Sequence, residues 1–164
     1  MILQNYEELK EIRNKYKDKK IVFCAGVFDL THAGHVLFFE DCKALGDMLV
    51  VGIGGDESVK NYKGPARPII NEHMRVKMVS SLKPVDFCFV TSAVKINDPL
   101  YDMTNMLGSL KPDIYVVNED AFDLPSRKQL ADKSGAKLVV LKRTCPAEFD
   151  SISTTKIIEK LKGS

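Results

Sequence analysis

The chain has 164 residues, of which 45% are hydrophobic and 28% are charged, and its formal net charge is +2 at pH 7. These proportions are close to those of globular domains, which excludes the disordered and fibrous classes of protein. The length predicts a single domain, residues 1–164, whose core is large enough to be stable without disulfides or bound metals.

The charge and the hydropathy pattern argue against two kinds of partner. Lysines and acidic residues are interleaved along the chain, so the strongly basic stripe that is typical of nucleic-acid-binding proteins is missing. The longest apolar stretches, such as residues 48–53, have the length of a β-strand and are too short to span a membrane. The N-terminal residues include acids and lack the apolar core of a signal peptide. We therefore expect a cytoplasmic protein that binds neither nucleic acid nor a membrane.

The four cysteines are far apart in the sequence and form no C-x-x-C pair. This spacing does not fit a zinc site or a redox motif, so we expect reduced thiols and no metal site built from protein ligands. Cys24 and Cys88 lie inside apolar, strand-like runs. In such positions a thiol behaves as a small buried hydrophobic group.

Strand-like and helix-like segments alternate along the chain. Short, continuous apolar runs are typical of strands that are buried on both faces of a sheet. The predicted strands are residues 21–25, 48–53, 87–90, 114–117 and 138–141. The predicted helices are residues 6–16, 36–45, 72–82, 100–110, 126–133 and 154–161. This order predicts an α/β, Rossmann-like fold with a five-stranded parallel sheet and helices on both faces.

The first predicted strand runs directly into residues 26–35, G-V-F-D-L-T-H-A-G-H, at the edge where such sheets bind ligands. His32 and His35 are three residues apart at the start of a helix, where the backbone amides and the helix dipole attract an anion. Gly26 allows a ligand to approach the backbone closely. Paired imidazoles at this point can donate hydrogen bonds to a phosphate under nucleophilic attack, so we predict that both histidines are catalytic.

The last predicted helix begins with a second candidate phosphate site, I-S-T-T-K-I-I, in residues 152–158. Ser153 is a good N-cap residue, and the hydroxyls of Thr154 and Thr155 add donors beside the free backbone amides. Lys156 has the unfavourable charge for a first helical turn, which a bound polyphosphate would reverse. An ordinary capped helix is the alternative interpretation of this segment on its own.

A basic segment in the middle of the chain supplies further candidates. Residues 56–69 contain Lys63 and Arg67 in the pattern K-G-P-A-R-P, and Arg75 follows in the next predicted helix. Because glycine and proline mark a loop, we expect a mobile segment that closes over phosphates. The alternative is that these cations belong to an ordinary solvated surface.

These motifs carry a resemblance to a known family. Residues 26–35 resemble the G-x-F-D-x-x-H-x-G-H signature of the cytidylyltransferase-like nucleotidyltransferases. That family includes glycerol-3-phosphate, phosphocholine and phosphoethanolamine cytidylyltransferases and heptose-phosphate adenylyltransferases. Residues 152–157 resemble its second signature, I-S-T-T-x-I, and residues 63–68 are similar to the K-G-x-x-R-P of heptose-phosphate adenylyltransferases.

The resemblance implies a role for each matching residue. Asp29 would orient the histidine turn, and Asp120, which follows the fourth predicted strand, would lie near the base and ribose. Arg143, in an R-T pair after the fifth strand, corresponds to the family's R-T that precedes I-S-T-T. The nucleotide-binding residues implied in this way are Gly26, Val27, Phe28, Asp29, His32, His35, Asp120, Arg143, Ser153, Thr154 and Thr155. The implied catalytic residues are His32, His35 and Lys63, and the implied acceptor-binding residues are Lys63, Arg67 and Arg75.

The implied reaction is an in-line attack by the phosphate of an acceptor on the α-phosphorus of a nucleoside triphosphate, with release of pyrophosphate. Mg²⁺ would be carried by the triphosphate, and the enzyme would be a homodimer. The pair Arg143-Thr144 together with I-S-T-T favours transfer of CMP from CTP to a phosphorylated or phosphonate alcohol, which is our expectation. The K-G-x-x-R-P pattern favours the alternative, transfer of AMP from ATP to a sugar phosphate such as heptose 1-phosphate. A regulatory subunit that binds nucleotides without catalysis is a third possibility.

Overall fold

A computed structural model describes residues 1–91, 100–149 and 152–163. Within these ranges the chain forms six strands and seven helices. The strands are β1 (Ile2–Leu3), β2 (Ile21–Gly26), β3 (Met48–Ile53), β4 (Phe87–Val90), β5 (Ile114–Asn118) and β6 (Lys137–Leu141). The helices are α1 (Tyr6–Lys15), α2 (Ala33–Lys43), α3 (Asp56–Lys63), α4 (Glu72–Ser80), α5 (Tyr101–Leu110), α6 (Leu124–Ser134) and α7 (Thr154–Lys162).

The strands form one parallel sheet in the order β1-β4-β3-β2-β5-β6. The chain builds outward from β2 through β3 and β4, and then returns to the other side of β2 with β5 and β6. The strand order thus reverses beside β2, which is where open α/β sheets bind their ligands. The predicted α/β, Rossmann-like fold is confirmed, but the sheet has six strands instead of five.

The additional strand, β1, has only two residues and pairs Ile2 with Cys88 and Leu3 with Phe89. Two residues are too few to produce a recognisable apolar run, so the sequence contains no signal for this edge strand.

Each face of the sheet buries its own apolar cluster. Alternate residues of β2 point to opposite faces, so Phe23 belongs to one cluster whereas Val22 and Cys24 belong to the other. Helices α1, α5 and α6 contribute to the first cluster, and α2 and α4 contribute to the second. Helices on both faces are therefore confirmed, and the two layers hold the carboxyl ends of β2 and β5 in place.

The cysteines Cys24, Cys42 and Cys88 are buried free thiols, as expected for the first and third, and Cys145 is exposed. No helix in the described part of the chain combines the length and the apolar character that a membrane crossing requires.

Helix α3 corrects the prediction of a loop for residues 56–63, whereas residues 64–69 lie outside helices and strands, as predicted. Asp56 and Glu57 lie in its first turn and Lys60 and Lys63 in its last turn, so the charges complement the helix dipole. Helix α3 buries a single residue, Val59, so its sequence shows no helical pattern of apolar residues. Lys63 is therefore the last residue of a helix instead of part of a mobile loop.

Arg75, on α4, is fully buried, with 0% of its surface exposed. Its guanidinium donates hydrogen bonds to the carbonyl oxygens of Val27 (2.6 Å), Gly54 (2.7 Å) and Ile70 (2.9 Å) and to Asp56 Oδ1 (2.7 Å). These partners lie just after β2 and β3, at the start of α3 and before α4. The substrate-binding role predicted for Arg75 is corrected, because its donors are engaged in joining these segments.

Replacing Arg75 should therefore destabilise the fold. We expect Arg75→Met to lower the free energy of unfolding by about 3–5 kcal/mol, because Asp56 and three buried carbonyls lose their donor. The control is Lys77→Met on the same helix, where the exposed side chain predicts a change within about 0.5 kcal/mol. Urea unfolding followed by circular dichroism measures both, and equal stabilities of the two variants would contradict the structural role of Arg75.

Candidate functional site

A cavity of about 900 Å³ opens at the carboxyl ends of β2 and β5. Its walls are the turn between β2 and α2, the end of α3, the loops after β5 and β6, and the first turn of α7. This volume is at the upper end of the range of small-molecule sites and is large enough for a nucleotide and a second substrate. The predicted site residues that line it are Gly26, Val27, Phe28, Asp29, His32, His35, Lys63, Arg67, Asp120, Arg143, Ser153, Thr154 and Thr155.

The turn between β2 and α2 is sharp. Phe28 and Leu30 adopt left-handed backbone conformations with φ of 51° and 47°, which cost energy in residues other than glycine. A Cβ at position 26 would lie 3.0 Å from the Phe28 ring, so a larger residue there would have to displace the ring that covers this glycine. The ring of Phe28 also meets His35 edge-on, with a centroid distance of 5.4 Å. The turn thereby fixes the position of the second histidine.

The two histidines stack at the start of α2. His32 is the N-cap residue and His35 lies in the first turn, and their ring centroids are 3.9 Å apart with an interplanar angle of 25°. The helix begins at Ala33, three residues earlier than predicted, so His35 is part of it. The backbone N–H of His32 donates to Nδ1 of His35 over 3.4 Å, which leaves the proton of the neutral His35 on Nε2.

The surroundings of both imidazoles favour their neutral form. Burial, followed by the proximity of His32 and Arg143, lowers the pKa of His35 from 6.5 to about 3. Burial, followed by the charge of Arg143, also lowers the pKa of His32. The two ring nitrogens of His32 are buried and have no hydrogen-bond partner among the described residues. A buried polar group without a partner is costly, so a ligand that supplies one is favoured at this position.

Asp29 connects the histidine turn to two other segments. Its buried carboxylate, 1% exposed, accepts hydrogen bonds from Arg67 Nε (3.0 Å) and from the backbone amides of Ile69 (2.8 Å) and Ile70 (3.0 Å). Its carbonyl oxygen accepts a hydrogen bond from the hydroxyl of Thr154 at 2.8 Å. The structure thus shows that Asp29 holds the loop after α3 and the start of α7 against the turn.

Lys63 and Arg67 bring positive charge to the cavity. Arg67 uses its Nε for Asp29, and its side chain remains 15% exposed. Burial, followed by the neighbouring charge of Arg67, lowers the pKa of Lys63. A lowered lysine pKa means that the charged form is disfavoured, so an anion bound there would stabilise the charged form.

Two helix N-termini converge at the cavity. Ser153 caps α7 by accepting a hydrogen bond from the backbone amide of Lys156 at 3.2 Å. The start of α7 adjoins the start of α2, since a Cβ on Gly34 would lie 3.6 Å from the carbonyl oxygen of Ile152. Thr155 is exposed and lines the cavity beside the free amides of the first turn. The combined positive ends of the two dipoles favour a polyanion between them.

Arg143 and Asp120, both predicted to bind the nucleotide, form an ion pair with each other at 2.6 Å. They come from the loops after β6 and β5, and about half of each side chain is exposed. An exposed pair contributes only about 0.2–1 kcal/mol, so a phosphate or a base can compete for either partner. The hydroxyl of Thr144 also donates to Asp41, which ties the loop after β6 to α2.

Five further residues line the cavity without having been predicted as site residues. They are Tyr62 on α3, Asp102 on α5, Asn118 and Phe122 at either end of the segment that contains Asp120, and Arg127 on α6. One signal for Asn118 is that it ends a buried parallel strand, at the edge where polar residues meet ligands. Within the described residues, no group of three or more histidine, cysteine or acidic side chains is arranged to hold a metal ion.

Comparisons with known proteins identify the family of this chain. Residues 23–160 match the family model described as cytidylyltransferase-like. The bifunctional protein HldE of Helicobacter pylori (strain P12) is 37% identical over 155 residues, which cover 94% of this chain and 30% of that protein. The HldE of Campylobacter jejuni (strain RM1221) is 38% identical over 165 residues, covering 98% of this chain and 31% of that protein. The chain therefore spans less than a third of the length of these relatives.

Two solved structures are also similar. A lipopolysaccharide core biosynthesis protein from Thermoplasma volcanium GSS1 has a TM-score of 0.63 and 29% identity, and the match covers 77% of this chain and 97% of that one. A pantoate-beta-alanine ligase from Francisella tularensis has a TM-score of 0.67 at 19% identity, over 99% of this chain and 77% of that one, and shows the fold alone. The family match over residues 23–160 and the fold show that the chain belongs to the cytidylyltransferase-like family of nucleotidyltransferases.

Proposed function

We propose that this chain is an adenylyltransferase that transfers AMP from ATP to a sugar phosphate, such as heptose 1-phosphate, and releases pyrophosphate. The observation that carries nucleotidyl transfer is the pair of neutral, stacked imidazoles between two helix N-termini, with the ring nitrogens of His32 unpartnered within the described chain. Hydrogen-bond donors held in this way act on charge that develops during the reaction.

The proposed reaction is a single displacement. An oxygen of the acceptor phosphate attacks the α-phosphorus and forms a new P–O bond, while the bond from the α-phosphorus to the bridging oxygen of the β-phosphate breaks and its electron pair leaves with pyrophosphate. His32 and His35 donate hydrogen bonds to the non-bridging oxygens, and Lys63 holds the α-phosphate. The start of α7, with Thr155, holds the β- and γ-phosphates. Positioning and charge neutralisation therefore supply the catalysis without a covalent intermediate.

Mg²⁺ belongs to the substrate in this proposal and arrives bound to the triphosphate. Two of the cavity carboxylates are engaged within the protein, because Asp29 binds Arg67 and two amides whereas Asp120 pairs with Arg143. A metal that bridges phosphate oxygens and keeps several waters needs no protein cage.

The choice of ATP replaces our expectation of CTP. The match to HldE proteins favours adenylyl transfer to a heptose phosphate over CMP transfer, as does the K-G-x-x-R-P pattern of residues 63–68. The expectation of CTP rested on Arg143 beside I-S-T-T, and the exposed pair of Arg143 with Asp120 leaves this arginine open to either base. The name of the Thermoplasma volcanium relative, a lipopolysaccharide core biosynthesis protein, is also compatible with a sugar substrate.

A release assay for pyrophosphate tests the proposed function. ATP and CTP are each paired with hexose and heptose 1-phosphates and with glycerol phosphate, phosphocholine and phosphoethanolamine, and the product masses are determined. We expect the highest kcat/KM for ATP with a sugar 1-phosphate, because a site that hydrogen-bonds one base discriminates strongly against another. Preference for CTP with an alcohol phosphate would restore the original expectation, and no turnover with any pair would favour a regulatory nucleotide-binding subunit.

Removing either cavity histidine should affect the chemical step more than binding. We expect His32→Ala and His35→Ala each to lower kcat by about 10²–10³, with a much smaller change in the KM for ATP, by analogy with deleted oxyanion-hole donors. His73→Ala is the matched control, since the third histidine is exposed on α4 and does not line the cavity. Steady-state kinetics measures all three variants, and near-normal turnover of His32→Ala would remove this histidine from the catalytic site.

A further inference from the structure

Helix α3 positions Lys63 but has few stabilising contacts of its own. It has eight residues, Val59 is the residue that it buries, and Lys63 is its last residue. A helix of this length is marginal by itself, because nucleation fixes several residues for the first hydrogen bond. The position of Lys63 therefore depends on contacts that other segments make with α3.

The N-terminus of α3 cannot be capped by its own N-cap residue. That residue is Gly55, and a Cβ there would lie 2.6 Å from the carbonyl oxygen of Thr91. Serine, threonine, aspartate and asparagine are thereby excluded from this position, although their side chains usually accept hydrogen bonds from the first free amides of a helix. Acceptors for these amides have to come from elsewhere in the chain.

Two side chains from other elements supply these acceptors. Thr91, directly after β4, accepts a hydrogen bond from the backbone amide of Gly55 through Oγ1 at 3.0 Å. Glu72, the first residue of α4, accepts one from the backbone amide of Asp56 through Oε2 at 2.6 Å. The Glu72 carboxylate lies at the N-termini of both α3 and α4, so both helix dipoles favour its charge. Because a hydrogen bond to a charged acceptor is about twice as strong as a neutral one, Glu72 is the stronger cap.

Glu72 differs from Thr91 in its position relative to the cavity. Thr91 lines the cavity, whereas Glu72 is not among the described residues that do so. Asp56, whose amide Glu72 binds, precedes Lys63 by almost the whole length of the helix, which is about 10 Å along its axis. Glu72 therefore acts on the cavity through a neighbouring segment, and the segment whose amide it binds is α3.

We propose that Glu72 is a positioning residue, whose carboxylate caps α3 from α4 and thereby holds Lys63 at the α-phosphate of the nucleotide. This inference rests on the proposed function, which assigns that phosphate to Lys63. When the cap is lost, the short helix is unfolded for part of the time. The affinity for a ligand that needs Lys63 then falls with the fraction of ordered helix. Glu72 has no contact with either substrate in this proposal.

A double-mutant cycle with Lys63 tests this route. The Kd for ATP, measured by calorimetry in the presence of Mg²⁺, should rise about 3- to 30-fold in Glu72→Ala, as expected for the loss of a helix cap. In the Lys63→Ala background, Glu72→Ala should change the Kd by less than about twofold, because the group that Glu72 positions is already missing. Binding is the readout, so the cycle does not depend on turnover of the variants.

Two further variants separate the cap from the charge. Glu72→Gln keeps an oxygen that can accept from the amide of Asp56, so we expect a Kd within about threefold of the wild-type value. Glu57→Ala is the matched control, since Glu57 is an exposed acidic residue in the first turn of the same helix. Its charge is screened at physiological ionic strength, so we expect a Kd within about twofold of the wild-type value.

Hydrogen exchange provides a readout that a general loss of stability would not produce. In Glu72→Ala the backbone amides of α3 should exchange faster by about the factor by which the Kd rises, whereas exchange in α2 should stay unchanged. Equal acceleration in both helices would show that Glu72 supports the whole domain, and so would failure of Glu72→Ala to fold. Either result would overturn the inference.

The binding data can also overturn it. An unchanged Kd in folded Glu72→Ala would show that the cap is dispensable, and an equal rise in the Lys63→Ala background would show that Glu72 acts by another route; the proposed function stands in both cases. If Lys63→Ala itself binds ATP normally, the inference fails together with the role of Lys63. If the wild type prefers CTP, only the proposed base fails, and the same cycle measured with CTP tests Glu72. If the wild type binds neither nucleotide, both proposals fail.

Discussion

The site depends on one buried carboxylate, that of Asp29. A buried carboxylate is tolerated only when charge and hydrogen bonds compensate for lost hydration, and Asp29 obtains these from Arg67 and two backbone amides of the following loop. Its carbonyl oxygen binds the hydroxyl of Thr154, which adds the start of α7. Three segments that are far apart in the sequence therefore meet at one residue, and the left-handed conformations of its neighbours Phe28 and Leu30 are held in place by the same contacts.

Arg75 complements Asp29 from the other side of the turn. It binds the carbonyl oxygen of Val27, two residues before Asp29, together with groups at the end of β3 and the start of α3. These buried charges are satisfied within the protein, and the side chains available to a ligand in the cavity include the imidazoles, Lys63 and the outer part of Arg67. The lowered pKa values of His32, His35 and Lys63 all reflect burial next to positive charge, which is the environment that a polyphosphate would neutralise.

The alternation of apolar runs and helical segments was sufficient to predict the fold class, and the two end motifs predicted residues that line one cavity. Two short elements were not predictable. Strand β1 has too few residues to form a pattern, and α3 buries a single apolar residue, Val59. The burial of Arg75 was missed for a similar reason: an arginine on a helix looks the same in a sequence whether it faces solvent or four acceptors. The match to HldE proteins favours ATP over the expected CTP, and that expectation relied on Arg143, whose surroundings are set by a loop. The homodimer and the residue roles in catalysis stay predictions.

The central claim is that a phosphate oxygen of the acceptor attacks the α-phosphorus directly, at the position defined by the histidine turn. The stereochemistry at phosphorus tests this claim. When the enzyme is given one diastereomer of ATP with sulfur on the α-phosphorus, a single displacement inverts the configuration of that phosphorus in the nucleotide-sugar product, which ³¹P NMR of the product can determine. We predict inversion. Retention would require two successive displacements through a nucleotidylated enzyme and would contradict the account.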